Sequence, residues 1–161
     1  EALISIMVVG ASSVVLMQIA SQTLQEMMQN EVIDTMTQYA VEGSVIVQDL
    51  ATREKISGED IFPNAEGCYA MDAQEGVYSF RKNTAEEYIS YDLSQDRDTY
   101  KSETAISVDD NYFRLVCINS YVGDGKFAII KVVVGQSNVG DGTITKKNMV
   151  KDYSYFTVAT L

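Results

Sequence analysis

The chain contains no histidine, one proline (Pro63), and no lysine or arginine ahead of Arg53. Each absence excludes something. Without an imidazole there is no ready general base, no histidine metal ligand and no Ser/His or Cys/His couple, so no catalytic residue and no enzyme activity are expected. Nor is there a glycine-rich phosphate loop: VGDGKF and VGDGTI lack both the spacing and the Lys-Ser/Thr ending. They read as hairpin turns in which Asp-Gly supplies positive φ. The shortage of bases, 12 against 23 acids for a net charge of −11, argues against direct nucleic-acid binding, because phosphate neutralisation dominates such binding. The acids do not suggest a metal site either. Asp92, Asp96 and Asp98, or Asp109 and Asp110, offer oxygens, but their spacing does not match a twelve-residue calcium loop. They read as solvated loop acids, and neither metal nor cofactor is expected.

Cysteine is scarce as well. Cys68 and Cys117 permit one internal pairing. In an oxidising compartment a disulfide closing that loop of about 50 residues stabilises by roughly 4 kcal/mol in chain-entropy terms. The alternative is two buried thiols, since Cys117 lies in FRLVCINSY, a strand-like run where a small hydrophobe would serve equally well.

What is present begins with the first stretch, ALISIMVVGASSVVLMQIASQTLQ, uncharged from Ala2 to Gln25 between Glu1 and Glu26. As a helix it reaches ~36 Å, enough for a hydrocarbon core of ~30 Å. A carboxylate at the mouth of such a helix is costly unless a positive group meets it. The plain reading is a membrane anchor with its acid in the headgroups. Beyond it the apolar residues become periodic: Leu24, Met28, Val32, Met36, Tyr39, Gly43, Ile46 and Leu50 form one helical stripe. No proline interrupts them. The expectation is one helix, apolar all round over 1–25 and amphipathic over 26–53, roughly 75–80 Å long by its rise per residue. Leu24, Met28, Val32, Met36 and Tyr39 are assigned to other helices, and Gly43, Ile46, Val47 and Leu50 to the underside of a sheet.

With Glu1 heading the run and Gly10 nine residues on, the start resembles the mature N-terminus of a type IV pilin or pseudopilin, the family cut by prepilin peptidase. The resemblance covers about the first 50 residues. Where many members have a proline eight residues after that glycine, this chain has Gln18. If Glu1 is the family glutamate, four residues beginning with an N-methylated Phe or Met precede it, and a basic leader has been removed. The alternative is that Glu1 is itself the mature first residue. The resemblance implies that Glu1 sets the assembly register by meeting the N-terminal amine of a neighbouring copy. Leu3, Ile6, Val9, Gly10, Ser13, Leu16, Met17 and Ala20 are then the helix-bundle packing residues, the small ones letting backbones approach. Its implied partners are further copies of the chain in a helical filament, the inner membrane before assembly, and pilus or secretion assembly machinery. Its implied location is the cell surface.

After the helix, residues 51–67 read as a connecting loop on the strength of Gly58, Pro63 and Gly67. The period then changes to two. Segments 76–83 and 87–93 read as short strands around Asn83-Thr84, and 94–103 as an exposed loop. Segments 111–122 and 126–136 around Gly123-Asp124-Gly125 make the clearest hairpin, with one or two further strands in 143–161. The ten tyrosines, nearly all beyond the helix, read as sheet packing. The expected fold is α+β: a long N-terminal helix, its apolar half protruding and its amphipathic half packed on a pilin-like antiparallel β-sheet head at 54–161. A head of that size is about 30 Å across, so such a helix must extend past it. The expected function is a structural subunit of a type IV pilus-like filament for adhesion, motility or DNA uptake. The alternatives are a pseudopilin of a type II secretion system and a membrane-anchored extracytoplasmic binding module that does not polymerise.

Overall fold

The structure, a computed structural model, describes residues 2–91, 105–106, 109–136 and 153–161, and excludes the side chains of 2–12, 105 and 109–111. Among the described residues one helix, α1 (Ala2–Ser57), is followed by eight strands: β1 (Gly67–Tyr69), β2 (Met71–Gln74), β3 (Val77–Phe80), β4 (Ser90–Tyr91), β5 (Ala105–Ile106), β6 (Asp109–Val122), β7 (Phe127–Gln136) and β8 (Tyr153–Thr160). The arrangement is α+β. The chain divides within α1 into two compact units, Glu1–Thr35 and Met36–Leu161.

In the first unit the helix continues without a break because nothing opposes it: no proline, and no charge from Ala2 to Gln25. Thr23 and Thr35 donate to the carbonyls of Ile19 and Glu31, one turn back, each at 2.9 Å.

In the second unit α1 buries Met36, Ala40, Gly43, Val47 and Leu50, steps of three and four that define one stripe. The expectation that 51–57 belongs to a loop is corrected: α1 runs on to Ser57. Ala51, Arg53, Glu54 and Lys55 are good helix formers, and Ala51 is buried. The stop is Gly58, at φ +70°, whose N–H donates to Glu54 O at 2.8 Å. Glu54 Oε2 then accepts the N–H groups of Ile61 (2.9 Å) and Phe62 (2.7 Å), turning the chain back.

The main sheet is antiparallel in the order β4-β1-β6-β7-β8, with β5 added to β6. β6 and β7 form the expected hairpin, Val122 opposite Phe127, around Gly123, Asp124 and Gly125, all with positive φ. The short strands expected within 76–83 and 87–93 are β3 and β4. β3 pairs with β2 as a separate two-stranded sheet, and β4 pairs with β1. The two segments meet antiparallel at a Lys82–Tyr88 bridge, flanked by Ile89 N–H donating to Arg81 O at 3.1 Å and Asn83 N–H to Glu87 O at 2.8 Å. Asn83 shapes the turn between them: its side-chain oxygen accepts from Ala85 and Glu87 N–H, each at 2.9 Å, closing 83–87. The loop segment 94–103 and the second VGDG repeat lie outside the described residues. Within 143–161, the described residues form one strand, β8.

Strand alternation gives the sheet two apolar faces. Arg114, Val116, Ile118, Ile130, Val132 and Val134 are buried on the face that meets α1. Phe113 and Leu115 are buried on the other, clustered with Ala70 and Tyr91.

Candidate assembly surface

Residues Val14, Val15, Leu16 and Met17 follow one another at about 100° per residue, so together they sample every side of the helix. All four are more than half exposed, at 57%, 53%, 65% and 76%. Ile19, Leu24, Met27 and Met28 continue the exposure. A helix that is apolar all round belongs in apolar surroundings, whether lipid or other helices. Ser13, Leu16, Met17 and Ala20 are all exposed here. The backbone of Leu3, Ile6, Val9 and Gly10 lies on α1, their side chains outside the description, and Glu1 is outside the described residues altogether. Among the described residues no helix is long and apolar enough to cross a membrane.

The assignment of the amphipathic stripe needs one correction. Met36 and Tyr39 were expected on the side facing other helices, yet Met36 is 1% exposed within the second unit. The Tyr39 ring lies 5.5 Å from that of Tyr112 on β6. Core packing therefore begins at Met36. Periodicity alone could not locate this boundary, because the same 3.6-residue stripe serves either surface.

A buried arginine fixes α1 on the sheet. Arg114, on β6, is 7% exposed; its Nη1 donates to Tyr39 O at 3.2 Å and pairs with Glu42 Oε2 at 3.3 Å. Gly43 makes room for it. The Tyr78 ring stands 6.0 Å from the guanidinium, and Arg53 Nη2 donates to Tyr78 O at 2.6 Å. At the far side of the sheet Gln48 Nε2 reaches Thr157 Oγ1 (3.1 Å) and Val158 O (2.7 Å) on β8. Sequence reasoning missed this set. The available signal was a lone base inside the apolar run YFRLVC, facing a helix with an acid and a glycine side by side.

Cys68 and Cys117, paired across β1 and β6, are joined by a disulfide with an S–S distance of 2.07 Å. On the small sheet Arg81 grips Asp72, Nη2 to Oδ1 at 2.6 Å, and this hydrogen bonding raises the guanidinium pKa further above its ordinary value.

One open groove of 430 Å³ lies where the loop after α1 meets the β6–β7 turn, lined by Glu54, Phe62, Pro63, Asn64, Tyr121 and Asp124 among others. Tyr121 donates its hydroxyl to Pro63 O, and burial, reinforced by Tyr69 and Glu54, pushes its pKa up to about 12. Among the described residues no three acids or cysteines come together to hold a metal ion. The groove holds no nucleophile–base couple.

No protein-family model, curated protein or solved structure matches the chain.

Proposed function

We propose that this chain is the structural subunit of a type IV pilus-like filament, polymerising through the apolar half of α1. The observation that carries the reading is the unbroken exposure of Val14, Val15, Leu16 and Met17, which leaves no side of that helical segment polar. The twelve Val, Leu, Ile and Met side chains between Ala2 and Gln25, each worth ~1.5–3 kcal/mol on burial, are a large liability in water and a large driving force once copies surround them. The small residues Gly10, Ala11, Ser12, Ser13, Ala20 and Ser21 permit close helix approach. Head-to-tail contacts whose rotation does not close propagate as a helical fibre. The second unit supports the same reading. It has its own core, its own disulfide and an arginine anchored to α1, so a subunit could move from lipid to fibre with its head intact.

In this reading Glu1 is the register mark, since burying a carboxylate unpaired costs several kcal/mol and penalises every wrong axial step. The test is electron microscopy of the full-length chain together with Glu1→Ala. Fibres from the native chain, sharply reduced in the variant while the circular-dichroism spectrum of the head is kept, are expected. Dispersed single molecules from the native chain would remove the filament reading.

A further inference from the structure

We infer that Met27 and Met28 form a peroxide-sensitive modification site that governs polymerisation; the inference rests on the filament reading above. Both lie just past Glu26, where the uncharged run ends, and are 62% and 67% exposed. Their neighbours Gln25, Gln29, Asn30 and Glu31 are polar and exposed, so water and dissolved oxidants reach both sulfurs in the unassembled subunit. The same helix carries an internal control. Met36, two and a half turns further on, is 1% exposed and closed off by the second unit's core. Met17, 76% exposed in the bare subunit, lies inside the uncharged run that lipid or detergent covers before assembly.

The chemistry is a two-electron oxidation by a hydroperoxide. The thioether sulfur attacks the near oxygen, the O–O bond breaks, and an S–O bond forms. The departing hydroxide takes the proton of the new S–OH group and leaves as water, so sulfur is oxidised to the sulfoxide and hydrogen peroxide reduced. The product is a polar, chiral sulfoxide on what was a soft apolar surface. Leu24 and Met28 are one helical turn apart and share a face, so the new dipole falls inside the strip that copies are proposed to cover. Each sulfoxide buried there without a donor weakens the contact by about tenfold. Once assembled, the same sulfurs are shielded, which makes the site sensitive only in the unpolymerised pool.

The experiment uses the full chain held in detergent, treated with hydrogen peroxide and mapped by peptide mass spectrometry. Fibres are then counted after detergent removal. Met27 and Met28 are expected to gain oxygen well before Met36, and fibre yield to drop by about tenfold for each sulfoxide formed. Methionine sulfoxide reductases should restore that yield, and the Met27→Leu/Met28→Leu double variant should assemble equally well with or without peroxide. Oxidation of Met36 in step with the pair, undiminished fibres from the oxidised chain, no rescue by the reductases, or a peroxide-sensitive double variant would each overturn the inference. Fibres from the untreated chain with no peroxide effect remove this inference alone. No fibres from the untreated chain remove the filament reading and this inference with it.

Discussion

A side-chain carbon at Gly43 would stand 2.8 Å from Arg114 Cδ and 2.9 Å from Val132 Cγ1. The helix and the sheet therefore approach as closely as they do only because this position carries no side chain. The approach is what brings the arginine within reach of Tyr39 O and Glu42.

Gly43→Ala sets two effects against each other. Alanine favours a helix over glycine by about 1 kcal/mol. Overpacking against a fully buried valine and a pinned arginine costs about 1–3 kcal/mol. The clash is expected to win, giving a net loss of about 1 kcal/mol in chemical denaturation, with Val132→Ala in the same chain recovering part of the steric term.

Glu42→Ala leaves the Arg114 guanidinium buried with its carboxylate gone. A fully buried pair broken in this way costs 3–5 kcal/mol, but the Glu42 side chain is 41% exposed and water screens it. A loss of about 1–2 kcal/mol is expected by denaturant titration, and Arg114→Met in the Glu42→Ala background should restore some of it.

Removing the Cys68–Cys117 link, whose residues are 49 apart in sequence, should lower stability by roughly 4 kcal/mol on the loop-entropy estimate. Peptide mapping with and without reductant detects the bond. Thermal melts of Cys68→Ser/Cys117→Ser measure its effect.

Tyr121 sets an alkaline limit. Its folded pKa is raised from 10.0 to about 12, so the folded state holds this proton more tightly than the unfolded chain. Stability contributed by the neutral phenol is thus fully present below pH 10 and is lost as pH rises toward 12. The Tyr121→Phe variant should show a shallower fall in stability over that interval. At neutral pH it should be weaker by about 1 kcal/mol, having lost the donor to Pro63 O. Denaturant midpoints measured across the alkaline range check both.

Much of this architecture is written locally in the residues. The uninterrupted α1 follows from the lack of proline, and the β6–β7 hairpin from apolar alternation around Gly123-Asp124-Gly125. β1 and β2 were not legible, being three and four residues long and including the polar Asp72 and Gln74. The strand character of β1 comes from a partner remote in sequence, as Cys68 meets Cys117, whereas β2 pairs locally with β3 across Glu75-Gly76. The end of α1 was misplaced because Glu54 reads as a loop acid until one sees it collecting the N–H groups of Ile61 and Phe62. For the assembly surface, the all-round apolar pattern at Val14–Met17 was visible in the residue string. The place where the stripe passes from that surface to core was not, since it depends on Tyr112 arriving beside Tyr39.

The bond between β1 and β6 also has a mechanical meaning. A pull on the two ends of the chain is carried through the sulfur bridge, and the residues between Cys68 and Cys117 are left out of the load path. At 3.3–3.6 Å per extended residue, that withholds about 160–180 Å of slack from any stretching of the subunit. Under traction the head can lengthen only from its flanks, while the enclosed loop stays at zero tension.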